Sequence, residues 1–254
     1  MTTKEKAALF STLHIKGAPL ILYNAWDAGS AKVIVNAGAK AVATSSWAVA
    51  ESQGYADGEE IPKALAEQVV GRIVASVDVP VSLDFEGGYT EDDGELGENV
   101  KRILDLGVIG INFEDRVVQG EGLYPIHRQA ARIAAIREAA NEAGIPLFIN
   151  ARTDLFLARG GSPSEIYKAA LQRGHAYADA GASGFFVPGV KEDALIERLC
   201  DTIAVPVNVM ILNGVPSVDR LAKMGVSRIS YGSIPHDNAM AVLHKEASKL
   251  YAPL

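Results

Sequence analysis

Short apolar runs alternate with helix-patterned segments along the whole chain. Most of these runs are almost continuously apolar, as expected for strands that are buried on both faces of a parallel sheet. The segments between them repeat apolar residues at helical spacing, for example Leu96, Val100 and Ile103. The predicted strands are 20–26, 41–46, 80–86, 110–114, 146–151, 184–188, 206–211 and 227–232.

Eight strand–helix units predict an α/β protein with a (β/α)8 barrel of the TIM type, and a doubly wound open sheet is the alternative. Proline and glycine punctuate the units in alternation. Proline suits the first residue of a strand and glycine suits a helix C-cap. A βαβα unit repeated four times would close a barrel, whereas these residues also punctuate ordinary α/β loops. The odd-numbered strands follow Pro19, Pro80, Pro146 and Pro206, and the even-numbered strands follow Gly38, Gly107, Gly181 and Gly225.

The length of 254 residues is typical of one barrel. We therefore expect residues 1–254 to form a single (β/α)8 barrel domain, with a helix at 3–13 that precedes the first strand and covers the barrel bottom.

Composition and charge exclude several classes of protein. The net charge of -7 argues against a nucleic-acid partner, which would require a basic surface. The sequence contains no apolar run long enough to span a membrane, so no membrane partner is expected. Cys200 is the single cysteine, which rules out an intramolecular disulfide. We expect a cytoplasmic protein.

Acidic residues stand at the predicted ends of two neighbouring strands. In a (β/α)8 barrel the active site lies at the carboxyl ends of the strands. Asp84 and Glu86 are two residues apart on the third strand, a spacing that places both side chains on one side, and Glu114 ends the fourth. Three converging carboxylates would repel one another unless a cation lay among them, and oxygen ligands suit Mg²⁺ or Mn²⁺. The alternative is that these acids pair with Arg116 or Arg152, or cap the following helices.

Other polar residues follow the strands at the same end. Arg152 could clamp a substrate carboxylate in bidentate fashion, or it could form an internal ion pair. Ser45, Ser46 and Trp47 open a helix whose amides could bind an anion, although an ordinary N-cap is the more common role of such a turn. Asp57 lies among turn-forming residues and by itself indicates only a turn.

The histidines and the cysteine give weaker signals. His14, His175 and His244 fall on helical patterns, which indicates packing or surface roles, whereas His127 and His236 could reach the barrel mouth. Cys200 precedes the seventh strand at the barrel bottom, where a structural role is expected.

Taken together, these residues resemble the isocitrate lyase/phosphoenolpyruvate mutase superfamily along nearly the whole chain. The resemblance is specific as a combination of motifs and not through any one of them. It rests on Asn24-Ala25-Trp26-Asp27-Ala28, Thr44-Ser45-Ser46, Asp57, Asp84-Phe85-Glu86-Gly87-Gly88-Tyr89, Asn112-Phe113-Glu114-Asp115 and Ala151-Arg152-Thr153-Asp154.

The resemblance implies a (β/α)8 barrel that forms homo-oligomers, either dimers or tetramers, with Mg²⁺ and a 2-oxo acid or its enolate in the mouth. It implies that Asp84, Glu86, Glu114 and Asp57 surround the metal, some of them through water. It also implies that Ser45 and the amides of Ser46 and Trp47 hold the substrate carboxylate, and that Arg152 anchors the substrate.

The chain departs from the family pattern in its catalytic loop. Lyases of the family carry a Lys-Lys/Arg-Cys-Gly-His run after the fourth strand and phosphonomutases carry a Lys-Asn-Ser run, but the loop 116–125 contains neither. Pro188-Gly189 replaces the family's Pro-Glu, and Asn208 is two positions out of register with a family asparagine. The C-terminal region is short for the family, which argues against the helix exchange between subunits that is usual there.

The retained residues suffice to bind Mg²⁺ and a 2-oxo carboxylate and to stabilise an enolate, whereas the missing ones protonate carbon or move a phosphoryl group. We therefore expect a Mg²⁺-dependent lyase that decarboxylates or cleaves a small 2-oxo acid. Its proton donor would be water, Tyr124 or Glu121. The alternatives are an enzyme of P–C bond chemistry and a non-catalytic 2-oxo-acid binding protein.

Overall fold

A computed structural model describes residues 1–158 and 162–251. The strands of this part are β1 Leu20–Leu22, β2 Val42–Ala43, β3 Val81–Asp84, β4 Gly110–Glu114, β5 Phe148–Arg152, β6 Gly184–Phe186, β7 Val207–Met210 and β8 Arg228–Ser230. The helices are α1 Thr3–Thr12, α2 Ala28–Asn36, α3 Ser46–Ser52, α4 Lys63–Ser76, α5 Asp93–Asp105, α6 Ile126–Glu142, α7 Pro163–Asp179, α8 Asp193–Thr202, α9 Val218–Lys223 and α10 Ile234–Tyr251, with a 3-10 turn at Asp154–Phe156.

The strands form one parallel sheet in the order β1-β8-β7-β6-β5-β4-β3-β2. Its two ends, β1 and β2, meet through a parallel bridge between Ala25 and Thr44, so the sheet curls into a nearly closed ring. This arrangement confirms the predicted (β/α)8 barrel and excludes the open doubly wound sheet.

Most strands are shorter than the sequence pattern predicts, because local conformation ends them early. The second strand stops at Ala43, since Ser45 already caps α3 and its side chain accepts a hydrogen bond from the amide of Ala48. The third strand ends at Asp84, and two residues later Glu86 adopts a φ of 49°, in the left-handed region. The polar residues at these strand ends therefore lie on turns, where they face the barrel mouth.

Helix α1 packs across the amino-terminal end of the barrel. A capping box at Thr2 and Glu5 starts the helix, and Phe10 is completely buried against the aromatic ring of Phe148 at the start of β5. His14 follows α1 and stacks on the same ring at a centroid distance of 4.0 Å. Its Nδ1 lies 2.8 Å from the carbonyl oxygen of Phe10 and donates to it, so the neutral ring is held in one orientation.

This buried histidine makes stability depend on pH. Burial, reinforced by the charge of Arg228, lowers the pKa of His14 to about 3 from its ordinary 6.5. Its contribution to stability is therefore complete above pH 6.5 and is lost as the pH falls toward 3, because the unfolded chain binds the proton first. Between about pH 7 and about pH 5 we expect the wild type to lose ~2 kcal/mol more than a His14→Gln variant in urea unfolding.

His127→Gln is the matched control for this measurement, because His127 is exposed at the start of α6. It should keep the pH dependence of the wild type. Equal pH slopes for His14→Gln and the wild type would refute the assignment.

Helix α10 leaves the barrel surface after its first turn. Pro235 and His236 are buried, whereas Val242, Leu243 and Leu250 are 61%, 61% and 81% exposed. Ile21 on β1 and Tyr23 directly after it are exposed apolar side chains on the outer surface of the barrel. No helix in the described part of the chain is both long enough and apolar enough to cross a membrane.

Candidate active site at the carboxyl ends of the strands

Three of the predicted site residues are the last residues of adjacent strands. Asp84 ends β3, Glu114 ends β4 and Arg152 ends β5. The pairing places Asp84 beside Asn112 and Glu114 beside Arg152. Because the strands are parallel, all three residues lie at the same mouth of the barrel, where the sequence pattern placed them.

The carboxylate of Asp84 is held by hydrogen bonds at both oxygens. Its Oδ2 accepts from the amide nitrogen of Ser46 at 3.0 Å and from the hydroxyl of Ser46 at 2.9 Å. Its Oδ1 accepts from Nδ2 of Asn112 at 3.2 Å. The amide of Asp84 donates to the hydroxyl of Thr44 at 2.9 Å, so the backbone is fixed as well. The orientation of Asp84 is therefore set before any ligand arrives.

A polar chain inside the barrel supports Asn112. The carbonyl oxygen of its side chain accepts from Nδ2 of Asn150 at 2.9 Å and from Nη2 of Arg228 at 3.0 Å. These bonds fix which way the amide of Asn112 faces, so that its nitrogen points at Asp84. Arg228 is fully enclosed, and burial lowers its pKa to about 9.

Glu86 lies on a turn beyond β3, which corrects one premise of the sequence argument. Its φ of 49° breaks the regular strand alternation, so the spacing of two residues from Asp84 does not determine the direction of its side chain. Instead, its Oε1 accepts hydrogen bonds from the amides of Gly58 and Glu59 at 3.0 and 3.1 Å. The loop after α3 therefore positions this carboxylate.

The electrostatics of Glu86 show that the acids face one another. Burial, together with the charges of Asp57, Asp84, Glu114 and Glu59, raises the pKa of Glu86 to about 9. The mouth consequently resists holding all these carboxylates ionised unless positive charge is supplied.

Asp57 lies at the rim of the same group. Its Oδ1 lies 3.3 Å from the hydroxyl oxygen of Ser46, whose single proton is shared between Asp57 and the closer Asp84. Partial burial and the charge of Asp84 raise the pKa of Asp57. Asp57, for which the local sequence indicates only a turn, is thus linked to the other acids through Ser46.

Arg152 forms the internal ion pairs that were the alternative to substrate binding. Its Nη1 lies 3.0 Å from Oε2 of Glu114, and its Nε and Nη2 donate to Asp154 at 2.6 and 3.0 Å. Burial alone would lower the pKa of Arg152, but Glu114 and Asp154 raise it above its ordinary value. Burial also raises the pKa of Glu114, and Arg152 opposes that rise. A guanidinium has five N–H donors and these contacts use three, so two remain for a ligand.

The turn Ser45-Ser46-Trp47 begins α3, as predicted, but its polar groups are partly committed. Ser45 is buried and acts as the N-cap of α3. Both the amide and the hydroxyl of Ser46 donate to Asp84. Trp47 is partly exposed at the mouth, and its ring lies 5.8 Å from that of His236.

The loop 116–125 folds back toward the loop that holds Glu86. Gln119 donates to the carbonyl of Gly58 at 3.1 Å, and Val118 lies close to the backbone of Gly87. Tyr124 donates its hydroxyl to Glu91 at 3.0 Å, and its ring lies 4.6 Å from the guanidinium carbon of Arg132. Tyr124 thus contacts Glu91 and Arg132. Glu121, the other residue proposed as a proton donor, is exposed.

Three further residues shape the mouth and were not singled out from the sequence as site residues. Glu59 contributes to the negative potential at Glu86, Asp154 holds Arg152, and Asn112 orients Asp84. Asn112 and Asn150 carried a detectable signal, since each is a lone amide within an otherwise apolar strand. Glu59 carried none, because its role depends on how its loop folds against β3.

The donor set of the mouth fits a hard divalent cation. Asp84, Glu86, Glu114 and Asp57 offer oxygen ligands, and the mutual repulsion seen at Glu86 is what a cation would relieve. The oxygens of the three predicted ligands do not all lie within 4.8 Å of one another. Because Mg²⁺ commonly keeps several of its own waters, some of these carboxylates would hold it through water.

Comparison with known proteins identifies the family. The sequence model described as phosphoenolpyruvate phosphomutase matches residues 10–251. A crystal structure from Burkholderia cenocepacia, described as a candidate phosphonomutase, is 45% identical, covers 96% of this chain and 99% of its own, and superposes with a TM-score of 0.93. The chain belongs to the isocitrate lyase/phosphoenolpyruvate mutase superfamily.

Other members of this superfamily match over most of their length. An uncharacterised Mycobacterium tuberculosis protein is 34% identical over 227 residues, which are 89% of this chain and 83% of the relative. The 2-methylisocitrate lyase of Salmonella typhimurium is 27% identical over 267 residues, covering 100% of this chain and 86% of the lyase. Like the lyases and mutases of this superfamily, the chain is an enzyme.

Proposed function

We propose that this enzyme is a Mg²⁺-dependent carbon–carbon lyase that cleaves or decarboxylates a small 2-oxo acid through an enolate. The observation that carries the proposal is the mouth itself, where a ring of preoriented carboxylates lies beside an arginine with spare donors. Bound Mg²⁺, assigned to Asp84, Glu86 and Glu114 with Mn²⁺ as a possible substitute, would supply Lewis-acid stabilisation of the enolate oxygen.

The protein's own groups would bind and orient the substrate. Arg152 is fixed between Glu114 and Asp154, so its two remaining N–H donors are held in place for a carboxylate. We also assign the turn Ser45-Ser46-Trp47 to binding of a substrate carboxylate. Asp57, joined to the acids through Ser46, is placed at the rim as a positioning or proton-handling group. Preorganised donors of this kind give the largest catalytic effects, because they need no rearrangement during reaction.

A solved relative illustrates the ligand chemistry. A phosphonopyruvate hydrolase of the same fold, with a TM-score of 0.83 and 20% identity, is described in complex with oxalate and Mg²⁺. Oxalate resembles the enolate of a 2-oxo acid in shape and charge. The proposal extends this ligand class to the present chain, whose mouth offers the oxygen ligands and the arginine that such a ligand requires.

The experiment is a comparison of oxaloacetate decay with and without the enzyme at equal Mg²⁺. We expect pyruvate and CO2 to form faster than in the metal-only reaction. If oxaloacetate gives none above that rate, decarboxylation is refuted. Release of pyruvate from 4-hydroxy-2-oxo acids then tests the retro-aldol form, and the absence of turnover with all of these 2-oxo acids refutes the carbon–carbon lyase.

P–C bond chemistry is the second candidate, favoured by the 45% identity to a structure described as a candidate phosphonomutase. The absence of the Lys-Asn-Ser run from the loop 116–125 argues against it. A phosphorus NMR time course with phosphonopyruvate decides the matter, because formation of either inorganic phosphate or a phosphate ester would reveal this chemistry.

The exposed apolar surface supports assembly as a homo-oligomer. Helix α10 presents Met240, Val242 and Leu243 to solvent, and the outer surface of the barrel at β1 presents Ile21 and Tyr23. Each surface lacks a cover among the described residues, and both are apolar. We propose that α10 of one subunit packs on the β1 face of another, even though the C-terminal region is short.

A charged substitution on α10 tests this packing. Leu243→Glu should weaken the oligomer by more than about tenfold in dissociation constant, since it places a carboxylate in an apolar contact. Ser248→Glu adds the same charge to the exposed surface of the same helix and should leave assembly unchanged. Light scattering across a concentration series gives the answer, and a wild type that is monomeric throughout would contradict the proposal.

A further inference from the structure

A buried imidazole lies without a hydrogen-bond partner at the junction of α3 and α10. His236, in the first turn of α10, is 4% exposed, and its Nδ1 has no partner among the described residues. The rings of Trp26 and Trp47 stand almost perpendicular to it, at 5.0 and 5.8 Å between centroids. Burial removes the hydrogen bond of this nitrogen to water, and no protein group replaces it. A bound ligand would compensate for that loss.

Two carboxylates lie beside this nitrogen. Oε2 of Glu51, on α3, is 3.7 Å from Nδ1 of His236, which is too long for a hydrogen bond. Asp237 follows His236, and one of its oxygens accepts from the hydroxyl of Ser233 at 3.0 Å. One ligand atom from each of Glu51, His236 and Asp237 can be chosen so that all lie within 4.8 Å of one another.

The separations of these atoms can be compared with those of a metal shell. Bonds of 2.0–2.2 Å in a tetrahedral arrangement place neighbouring ligand atoms about 3.3–3.6 Å apart. The contact between Glu51 and His236, at 3.7 Å, is near this range, and the other separations, of at most 4.8 Å, would have to shorten. Glu51 can move closer, because its side chain is half exposed at the end of a short helix.

The donor chemistry identifies the class of cation. One imidazole nitrogen with two carboxylates suits a borderline transition ion of the zinc type, whereas the all-oxygen mouth suits Mg²⁺. We propose that Glu51, His236 and Asp237 form a second divalent-metal site, specific for zinc-class cations and completed by water. It is a structural site, separate from the reaction proposed above and independent of it.

Such a site would join two parts of the molecule that have different tasks. Helix α3 begins with Ser46 and Trp47 at the barrel mouth, and Glu51 lies near its other end. Helix α10 begins beside His236 and then leaves the barrel. A cation bound between them would fix the position of α3, which begins at the mouth, relative to the first turn of α10.

The two tryptophans of the chain, Trp26 and Trp47, provide the readout, because both flank His236. The enzyme is first stripped of bound metal and then saturated with Mg²⁺. It is titrated with Zn²⁺ and, separately, with Co²⁺, whose visible absorption reports nitrogen and oxygen ligation. We expect a saturable change in tryptophan fluorescence at one equivalent per chain. His236→Gln should abolish it, and Glu51→Gln and Asp237→Asn should each weaken Zn²⁺ binding by more than the ~10- to 100-fold typical of outer-shell partners.

Two controls keep the test decisive. Glu60→Gln makes the same change at an exposed acid outside the cluster and should bind Zn²⁺ like the wild type. Asp84→Asn alters the mouth and should keep the Zn²⁺ response. The proposal is overturned if Zn²⁺ binding survives in Glu51→Gln and Asp237→Asn, whose surface positions spare the fold, or if it disappears in Asp84→Asn.

Discussion

Replacing Asp84 with asparagine is expected to lower the Mg²⁺-dependent turnover of the 2-oxo acid by about 10²- to 10³-fold, the usual cost of removing one preorganised electrostatic group. Asparagine keeps the size of the side chain and can still accept from Asn112. The amide nitrogen that then replaces Oδ2 cannot accept the two hydrogen bonds that Ser46 donates. The substitution also removes one negative charge from a cluster whose members repel one another, so the metal-free protein should remain folded.

Calorimetric titration with Mg²⁺ and steady-state kinetics measure the effect of Asp84→Asn. Asp105→Asn is the matched control, because Asp105 is exposed at the end of α5 and should give wild-type values. If Asp84→Asn binds Mg²⁺ and turns over like the wild type, Asp84 is not part of the metal site.

The second large effect concerns Arg152. Arg152→Met leaves Glu114 and Asp154 buried without a cation, and breaking a buried pair in this way typically costs about 3–5 kcal/mol. We expect that loss in unfolding experiments. The folded fraction should also show a raised KM for the 2-oxo acid and about 10²-fold lower kcat, since the proposed anchor is gone.

Arg173 offers a comparison that separates stability from catalysis. It pairs with the buried Asp115 at 3.0 Å, and the same carboxylate oxygen accepts from Tyr177. Arg173→Met should therefore destabilise the fold to a similar degree and yet leave the kinetics of the folded enzyme close to wild type. If the two variants lose kcat in proportion to their loss of unfolding free energy, Arg152 acts only as part of a structural ion pair.

The sequence predicted those site residues whose position follows from the barrel itself. Asp84, Glu114 and Arg152 each end an apolar strand, and the parallel arrangement of the strands brings them to one mouth. The sequence could not show that Arg152 pairs with both Glu114 and Asp154, because that choice depends on side-chain distances across the mouth.

The positions of residues held by loops or by distant packing could not be predicted from the sequence. Glu86 depends on a left-handed turn and on two amides of another loop, and neither follows from strand alternation. Glu59 contributes charge only after that loop folds. The neighbours Glu51 and Trp47 of His236 come from α3, and Trp26 precedes α2, so their approach to His236 could not be predicted from the sequence.

The support of Asp84 from inside the barrel has a consequence for evolution and engineering. The side-chain bonds from Ser46 and Asn112 hold this carboxylate, and none of its hydrogen-bond partners comes from the loop 116–125. The loop touches the segment that carries Asp57 and holds Glu86, through the hydrogen bond from Gln119 to the carbonyl of Gly58. The loop 116–125 can therefore be exchanged without removing the hydrogen bonds that hold Asp84. Chimeras that exchange residues 116–125 while retaining a residue with the contact of Gln119 offer a direct route to altered reaction specificity.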